Sequence, residues 1–204
     1  KVESLYETNP IVSLQKYKKL VEKNPSNIAA RYGLSLALVK NSSFEEAVNE
    51  FEALRPRLPK TILMLAAYAE VLASAGQHQK AEKIIENRLA ISPDNQPLSM
   101  IHAKTLIATK RFKEAEKILI RLSKVRPNDV DIWYELAETS GLAGNISGVH
   151  IARAEYFVLH GAYTRSIQHL EYAKSLTRGN NPQLQAKLAQ QIQDLKTQVR
   201  LAKG

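Results

Sequence analysis

The sequence predicts an all-α protein laid out as a linear array of helical hairpins, and three observations carry that prediction. Pro25, Pro59, Pro93 and Pro127 follow one another at one constant interval. That interval is the length of a helix–turn–helix repeat unit, about 34 residues. Proline cannot continue a helix, so a fixed proline interval ends a helix at the same point of every unit. Small and bulky residues recur in register with the prolines. Strand signals are absent, because no alternating β-branched run is bounded by turn pairs.

The register is clearest in rows one interval long that start at Ile28. The seventh position holds Leu34, Tyr68, His102 and Leu136; the eighth holds Ser35, Ala69, Ala103 and Ala137. The eleventh holds Leu38, Leu72, Leu106 and Ser140. The twentieth holds Ala47, Ala81, Ala115 and Val149, and the twenty-fourth Phe51, Ile85 and Leu119. Small residues let the two helices of a hairpin approach, and bulky ones fill the space between hairpins. Trp133 falls at the fourth position of its row. From about Ile11 to Ser175 the pattern resembles tetratricopeptide repeat (TPR) proteins. The resemblance implies a right-handed superhelical solenoid of helix–turn–helix repeats, with a groove lined by the first helix of each hairpin.

Taken in order, residues 10–27 read as a half repeat that supplies only a second helix. Full repeats follow at 28–61, 62–95 and 96–129. Residues 130–146 carry the Trp133 helix, and its own second helix is read as missing. A divergent repeat, 147–180, begins half a unit early. This half-repeat irregularity near 144–147 either opens a pocket or bend, or is a deletion absorbed by repacking. Asn181 is a plausible N-cap and Pro182 a plausible first helical residue of a capping helix over 181–204. Leu184, Leu188, Ile192, Leu195 and Val199 form one apolar stripe along it. The stripe covers the last hairpin or, alternatively, serves a coiled-coil arm. Residue 1 is lysine and the first unit is only half a repeat, so the reading expects a piece of a longer protein.

Composition narrows the function classes. The formal net charge is +9 and the sequence pI about 9.6. The densest basic cluster is Lys110, Arg111, Lys113, Lys117, Arg121, Lys124 and Arg126. Its helical spacing puts Lys113, Lys117, Arg121 and Lys124 on one face, either simply solvated or facing an anionic surface. No run of 18 apolar residues is present, so no membrane-spanning helix is read. Without cysteine there are no disulfides and no thiolate metal sites. No two histidines stand three or four apart and no HExxH occurs, so no helical zinc site is encoded locally. His102 reads as a satisfied core residue, and His160 precedes Gly161 at a helix end. There is no nucleophile elbow or phosphate loop. Catalysis is not expected of this segment, and no cofactor is expected in it.

The TPR resemblance implies a partner-binding groove at Tyr32, Leu36, Glu70, Met100, Lys104, Tyr134, Glu135, Glu138 and Glu155. Tyrosine offers a rigid face with one polar tip, and the carboxylates suit basic side chains of a client. The competing reading packs Tyr32 and Tyr134 between neighbouring helices. The carboxylate clamp of chaperone-binding TPR domains is not matched, because its places hold Tyr32, Leu36, Ala67, Pro97 and Ile101.

The last third narrows the resemblance. Trp133-Tyr134-Glu135-Leu136-Ala137 leads to Gly144-Asn145, then to Ala152-Arg153-Ala154-Glu155, then to His160-Gly161-Ala162-Tyr163. With Ala30 to Ala37 in the first full repeat, this is similar to the C-terminal TPR domain of bacterial periplasmic HExxH zinc metalloproteases. The resemblance implies a periplasmic location, and a zinc-bearing peptidase domain before Lys1. It also implies a role in quality control of outer-membrane β-barrel proteins. Partners would be the β-barrel assembly machinery or its substrates, with Trp133, Arg153 and Gly161 as structural motif residues. Arg153 is read as pairing with a neighbouring helix. Two rivals remain: a stand-alone assembly scaffold, and a helical-repeat RNA binder. The acids in the groove weigh against the second.

Overall fold

The computed structural model describes residues 9–59, 61–93, 95–179 and 181–201. Helices account for most of them, and no strand occurs among the described residues. In order they are α1 (Pro10–Lys23), α2 (Ile28–Lys40), α3 (Phe44–Leu54), α4 (Ile62–Ser74), α5 (His78–Leu89) and α6 (Gln96–Ala108). Then come α7 (Phe112–Val125), α8 (Val130–Leu142), α9 (Ile146–Leu159), α10 (Tyr163–Leu176) and α11 (Pro182–Leu201). The last three residues of the span read as the capping helix, 202–204, lie outside the described residues.

Two kinds of junction alternate, and each has a chemical signature. Before α2, α4, α6 and α8 a short polar side chain accepts from the first turn. Asn27 caps Ala30, Thr61 caps Met64, Asn95 caps Leu98 and Asp129 caps Asp131, at 3.0 to 3.3 Å. Such caps satisfy N–H groups that the helix cannot. After these same helices the chain turns through one residue of positive φ: Ser42 (60°), Gly76 (73°), Lys110 (61°) and Gly144 (79°). The following amide reaches back to the last turn of the helix: Ser43 to Leu38, Gln77 to Leu72, Arg111 to Leu106 and Asn145 to Ser140, at 2.8 to 2.9 Å. This is the Schellman closure of a helix C-terminus. It recurs at the same interval as the prolines.

After α9 the order changes. Gly161 has φ 69°, and Ala162 N–H bonds Phe157 O at 2.9 Å, so the Schellman turn returns after only half the usual interval. Helix α9 therefore follows the turn that opens a second helix, carries the cap of a first helix as well (Asn145 accepting from Gly148 N at 2.9 Å), and ends as a first. Helix α11 then opens with the cap of a first helix, Asn181 accepting from Leu184 N at 3.0 Å. The half-repeat step is written in the turns. One consequence read from sequence needs correction: α8 is not unpaired. Helix α9 packs against α8 on one side and α10 on the other. Ala152 and Ala154 are both buried while Arg153 between them is exposed. Residues two apart point to nearly opposite sides of a helix, so α9 is covered twice.

Two departures from the columns follow from this packing. Val149 stands where the other rows have alanine, and its Cγ2 faces Gly141, where an added Cβ would lie at 3.6 Å. The small partner has moved to α8. Ser140 stands where the other rows have leucine, because its hydroxyl donates to Glu116 Oε1 at 2.8 Å. Asn145 Nδ2 donates to the same oxygen at 2.7 Å, which fastens the α8–α9 turn to α7.

The chain divides into two compact units, Lys1–Thr105 and Leu106–Gly204, with the boundary inside α6. In the first, Phe51 stacks on Tyr68 (centroids 5.2 Å apart) and takes the edge of Tyr32 (5.8 Å). Tyr17, Leu38, Leu72 and Ala81 complete that core. Helix α1 comes close to α2 because Gly33 has no side chain: a Cβ there would collide with the Tyr17 ring. In the second, Leu184, Leu188, Ile192 and Leu195 of α11 pack on Ala154, Leu170 and Ala173.

Candidate partner-binding faces

The second unit presents the best-formed face. Tyr134, Glu138 and Leu142 fall at intervals of four on α8 and are all exposed, Tyr134 by 54% and Leu142 by 55%. Residues so spaced share one stripe of a helix. Helix α9 lays a second stripe beside it. Arg153 Nη2 donates to Glu138 Oε1 at 3.4 Å, and the Tyr156 ring lies 6.2 Å from that of Tyr134. The imidazole of His160 sits 4.3 Å from the Tyr156 ring, held by Nδ1 donating to Tyr156 O at 2.8 Å. The result is an apolar and aromatic strip with one half-exposed ion pair across it. Such a pair contributes little stability but sets charge pattern.

The other residues read from sequence fall elsewhere. Glu155 points away from this strip and accepts from Gln191 of α11 at 3.0 Å, so it ties helices together. Glu135 is half-buried. Trp133 donates its indole N–H to Pro127 O at 2.7 Å and latches the start of α8. Gly161 supplies a left-handed turn that L side chains rarely adopt.

In the first unit, Tyr32 rests its ring on Phe51, and Leu36 packs against the same core. Both belong to packing more than to a docking surface. Burial, and then the charge of Glu70, push the Tyr32 hydroxyl above the ordinary phenol range. Glu70 itself is exposed, as is Lys104, and Met100 is half-buried. His102 also departs from the satisfied core residue expected: its Nε2 is enclosed yet makes no hydrogen bond.

Two features escaped the sequence reading. One is a pocket of about 560 Å³ lined by Phe51, Arg55, Leu58, Met64, Tyr68 and Ile84, among others. It exists because α3 stops at Leu54: Pro56 has no N–H for the next helical bond, and the chain passes into a 3-10 turn over Arg55–Arg57. Arg55 lies 5.3 Å over the Tyr68 ring, whose hydroxyl donates to Glu52 Oε1 at 2.9 Å. The other is a histidine pair, with His150 Nδ1 and His169 Nδ1 2.9 Å apart and stacked on Tyr172 and Phe157 respectively. Their separation along the chain carries no local motif. The antiparallel hairpin around Gly161 was the available signal, since the two residues stand on its facing helices.

Two tetratricopeptide repeat family models match the chain, one over residues 9–61 and one over residues 72–139, and together they take in more than half of it. The chain belongs to the tetratricopeptide repeat family. The fold agrees. A TPR protein from Parabacteroides merdae superposes with a TM-score of 0.57 at 15% identity, covering 90% of this chain and 78% of that one. YrrB, a TPR protein with an unusual peptide-binding site, gives 0.54 at 16% identity, covering 82% and 85%. Among curated proteins, the beta-barrel assembly-enhancing protease of Yersinia pestis is 27% identical over 150 residues, which is 72% of this chain and 30% of that protein. A putative beta-barrel assembly-enhancing protease of Vibrio cholerae is 30% identical over 79 residues, 39% of this chain and 16% of that protein. The chain thus spans less than a third of either relative's length. It resembles the TPR part of that protease. A TPR array supports protein–protein interaction, and no helix among the described residues is long and apolar enough to cross a membrane.

Proposed function

We propose that this TPR segment holds a polypeptide partner on the α8–α9 strip, and that it serves a zinc peptidase of the bacterial envelope acting on outer-membrane β-barrel proteins. The observation that carries the binding site is the exposed Tyr134 ring beside the half-buried Tyr156, flanked by Leu142 and crossed by Arg153–Glu138. Large exposed apolar side chains in one strip are the usual mark of a docking surface. Tyrosines there give contact area at low entropic cost. A client segment, extended or helical, would lie along the strip and be oriented by the ion pair. The resemblance to beta-barrel assembly-enhancing proteases supports the envelope role, with substrates from the β-barrel pathway and the zinc chemistry outside this chain. Binding is the activity proposed for the segment itself.

The test is a pull-down of unfolded β-barrel polypeptide with the variant Tyr134→Ala/Glu138→Lys. Lysine at 138 faces Arg153 and reverses the local charge. Capture should fall about tenfold or more, the loss typical of one anchoring side chain, while circular dichroism shows unchanged helicity. Unaltered capture would remove the strip from the binding site.

A further inference from the structure

We propose that Glu82, Glu86 and His102 form a binding site for a divalent transition-metal ion, with Zn²⁺ the best match. Glu82 and Glu86 stand one turn apart on α5, and His102 reaches toward them from α6. One donor atom from each comes within 4.8 Å of the others. His102 Nε2 lies 3.5 Å from Glu82 Oε1, enclosed by protein and without a hydrogen bond. A buried ring nitrogen left this way costs free energy. Two carboxylates on successive turns repel one another. A single cation among the three relieves both costs at once.

The donor set selects the ion. One imidazole nitrogen with two carboxylate oxygens suits zinc and its neighbours, whereas magnesium and calcium prefer oxygen alone. Zinc binds His nitrogen and Glu oxygen at roughly 2.0–2.2 Å, so tetrahedral donors lie about 3.3 Å apart. The three side chains must draw in by an ångström or so. Glu86 is exposed and Glu82 half-buried, and both have flexible stems, so the backbone need not move. Three protein ligands leave a fourth position open to water. The ion would tie the second helix of one repeat to the first helix of the next. This site uses none of the residues of the α8–α9 strip and does not depend on it.

The experiment is a calorimetric titration of the chelator-treated full chain with zinc chloride. One ion per chain should bind, and magnesium chloride should give no saturable heat. Both His102→Gln and the double variant Glu82→Gln/Glu86→Gln should weaken zinc binding by at least about tenfold, since even outer partners of a ligand cost that much. His150→Gln/His169→Gln should leave it unchanged. Circular dichroism checks that each variant is folded. If His102→Gln fails to fold, the carboxylate variant decides, because its changes lie on the more exposed side. Absence of saturable zinc binding would overturn the site. So would an affinity untouched by the carboxylate variant, or one abolished by removing the histidine pair.

Discussion

The two units use their aromatic residues in opposite ways. In the first, Tyr17, Phe51 and Tyr68 are the core, each at most 6% exposed, with Tyr32 against them. In the second, the core is alanine, leucine and isoleucine, while Tyr134 and Tyr172 are more than half exposed. The spacing of the turns explains the difference. Where the full interval holds, a bulky column meets a small column on the neighbouring helix, and a ring fits between them. Where the interval drops to half, α9 must pack on two sides and carries alanine toward both. The Tyr134 ring of α8 and the Tyr172 ring of α10 lie toward the surface, while Tyr156 and Phe157 of α9 are half-buried. An irregularity in a repeat array can thus change which rings are left at the surface.

The sharpest way to break this comparison is to remove one ring from each unit. Phe51→Ala should cost about 3–5 kcal/mol, because the site is fully enclosed and touches Tyr32 and Tyr68. Tyr134→Ala, with its ring half in solvent, should cost under about 1 kcal/mol. Urea midpoints of the two variants measure the contrast, and equal losses would refute it. Next in size is Gly33→Ala, expected to cost about 1–3 kcal/mol because the Tyr17 ring has to shift. The double variant Gly33→Ala/Tyr17→Leu should recover part of that loss.

A smaller effect probes the shared turn. Gly161 and Lys110 occupy the same left-handed slot, and no neighbour crowds Gly161. Gly161→Ala should cost about 1 kcal/mol and Lys110→Gly should gain up to about as much, both from backbone conformation alone. Thermal midpoints shifting in opposite directions would confirm that the slot is one structure at two intervals.

The last probe is acid, and it separates the units by titration. Burial, and then the charge of Arg153, hold His150 below the ordinary imidazole range. Burial, and then His150 and Arg153, do the same to His169. With folded-state values below the unfolded one, the unfolded chain takes up protons first. The neutral pair therefore adds stability above about pH 6.5, and this is lost as pH falls through the lowered folded values. Urea melts at pH 7.5 and pH 5 measure the loss, and His150→Gln/His169→Gln should flatten that dependence.

Much of the architecture was legible. Prolines, small columns and the Asn181 cap are local or strictly periodic, so they survive translation from sequence to helix boundaries. The Gly144 and Gly161 turns were visible as a slipped interval. What was misread was its consequence, because a missing turn type looks like a missing helix until α9 is seen to serve two neighbours. The candidate site was legible only in part. Tyr134, Glu138 and Arg153 were named and share one strip, whereas Tyr32 and Leu36 were named and lie on the core. A repeat position tells which helix face a residue occupies. It does not tell whether the next helix covers that face.

The sequence by itself determined the helices, their repeat interval and the family, because each depends on residues within a turn or at a fixed interval. Tertiary structure alone decided which rings are buried, that Glu82, Glu86 and His102 converge, and that His150 meets His169. Those outcomes depend on helix-to-helix approach, which small residues on two different helices set jointly and which no single stretch of sequence encodes.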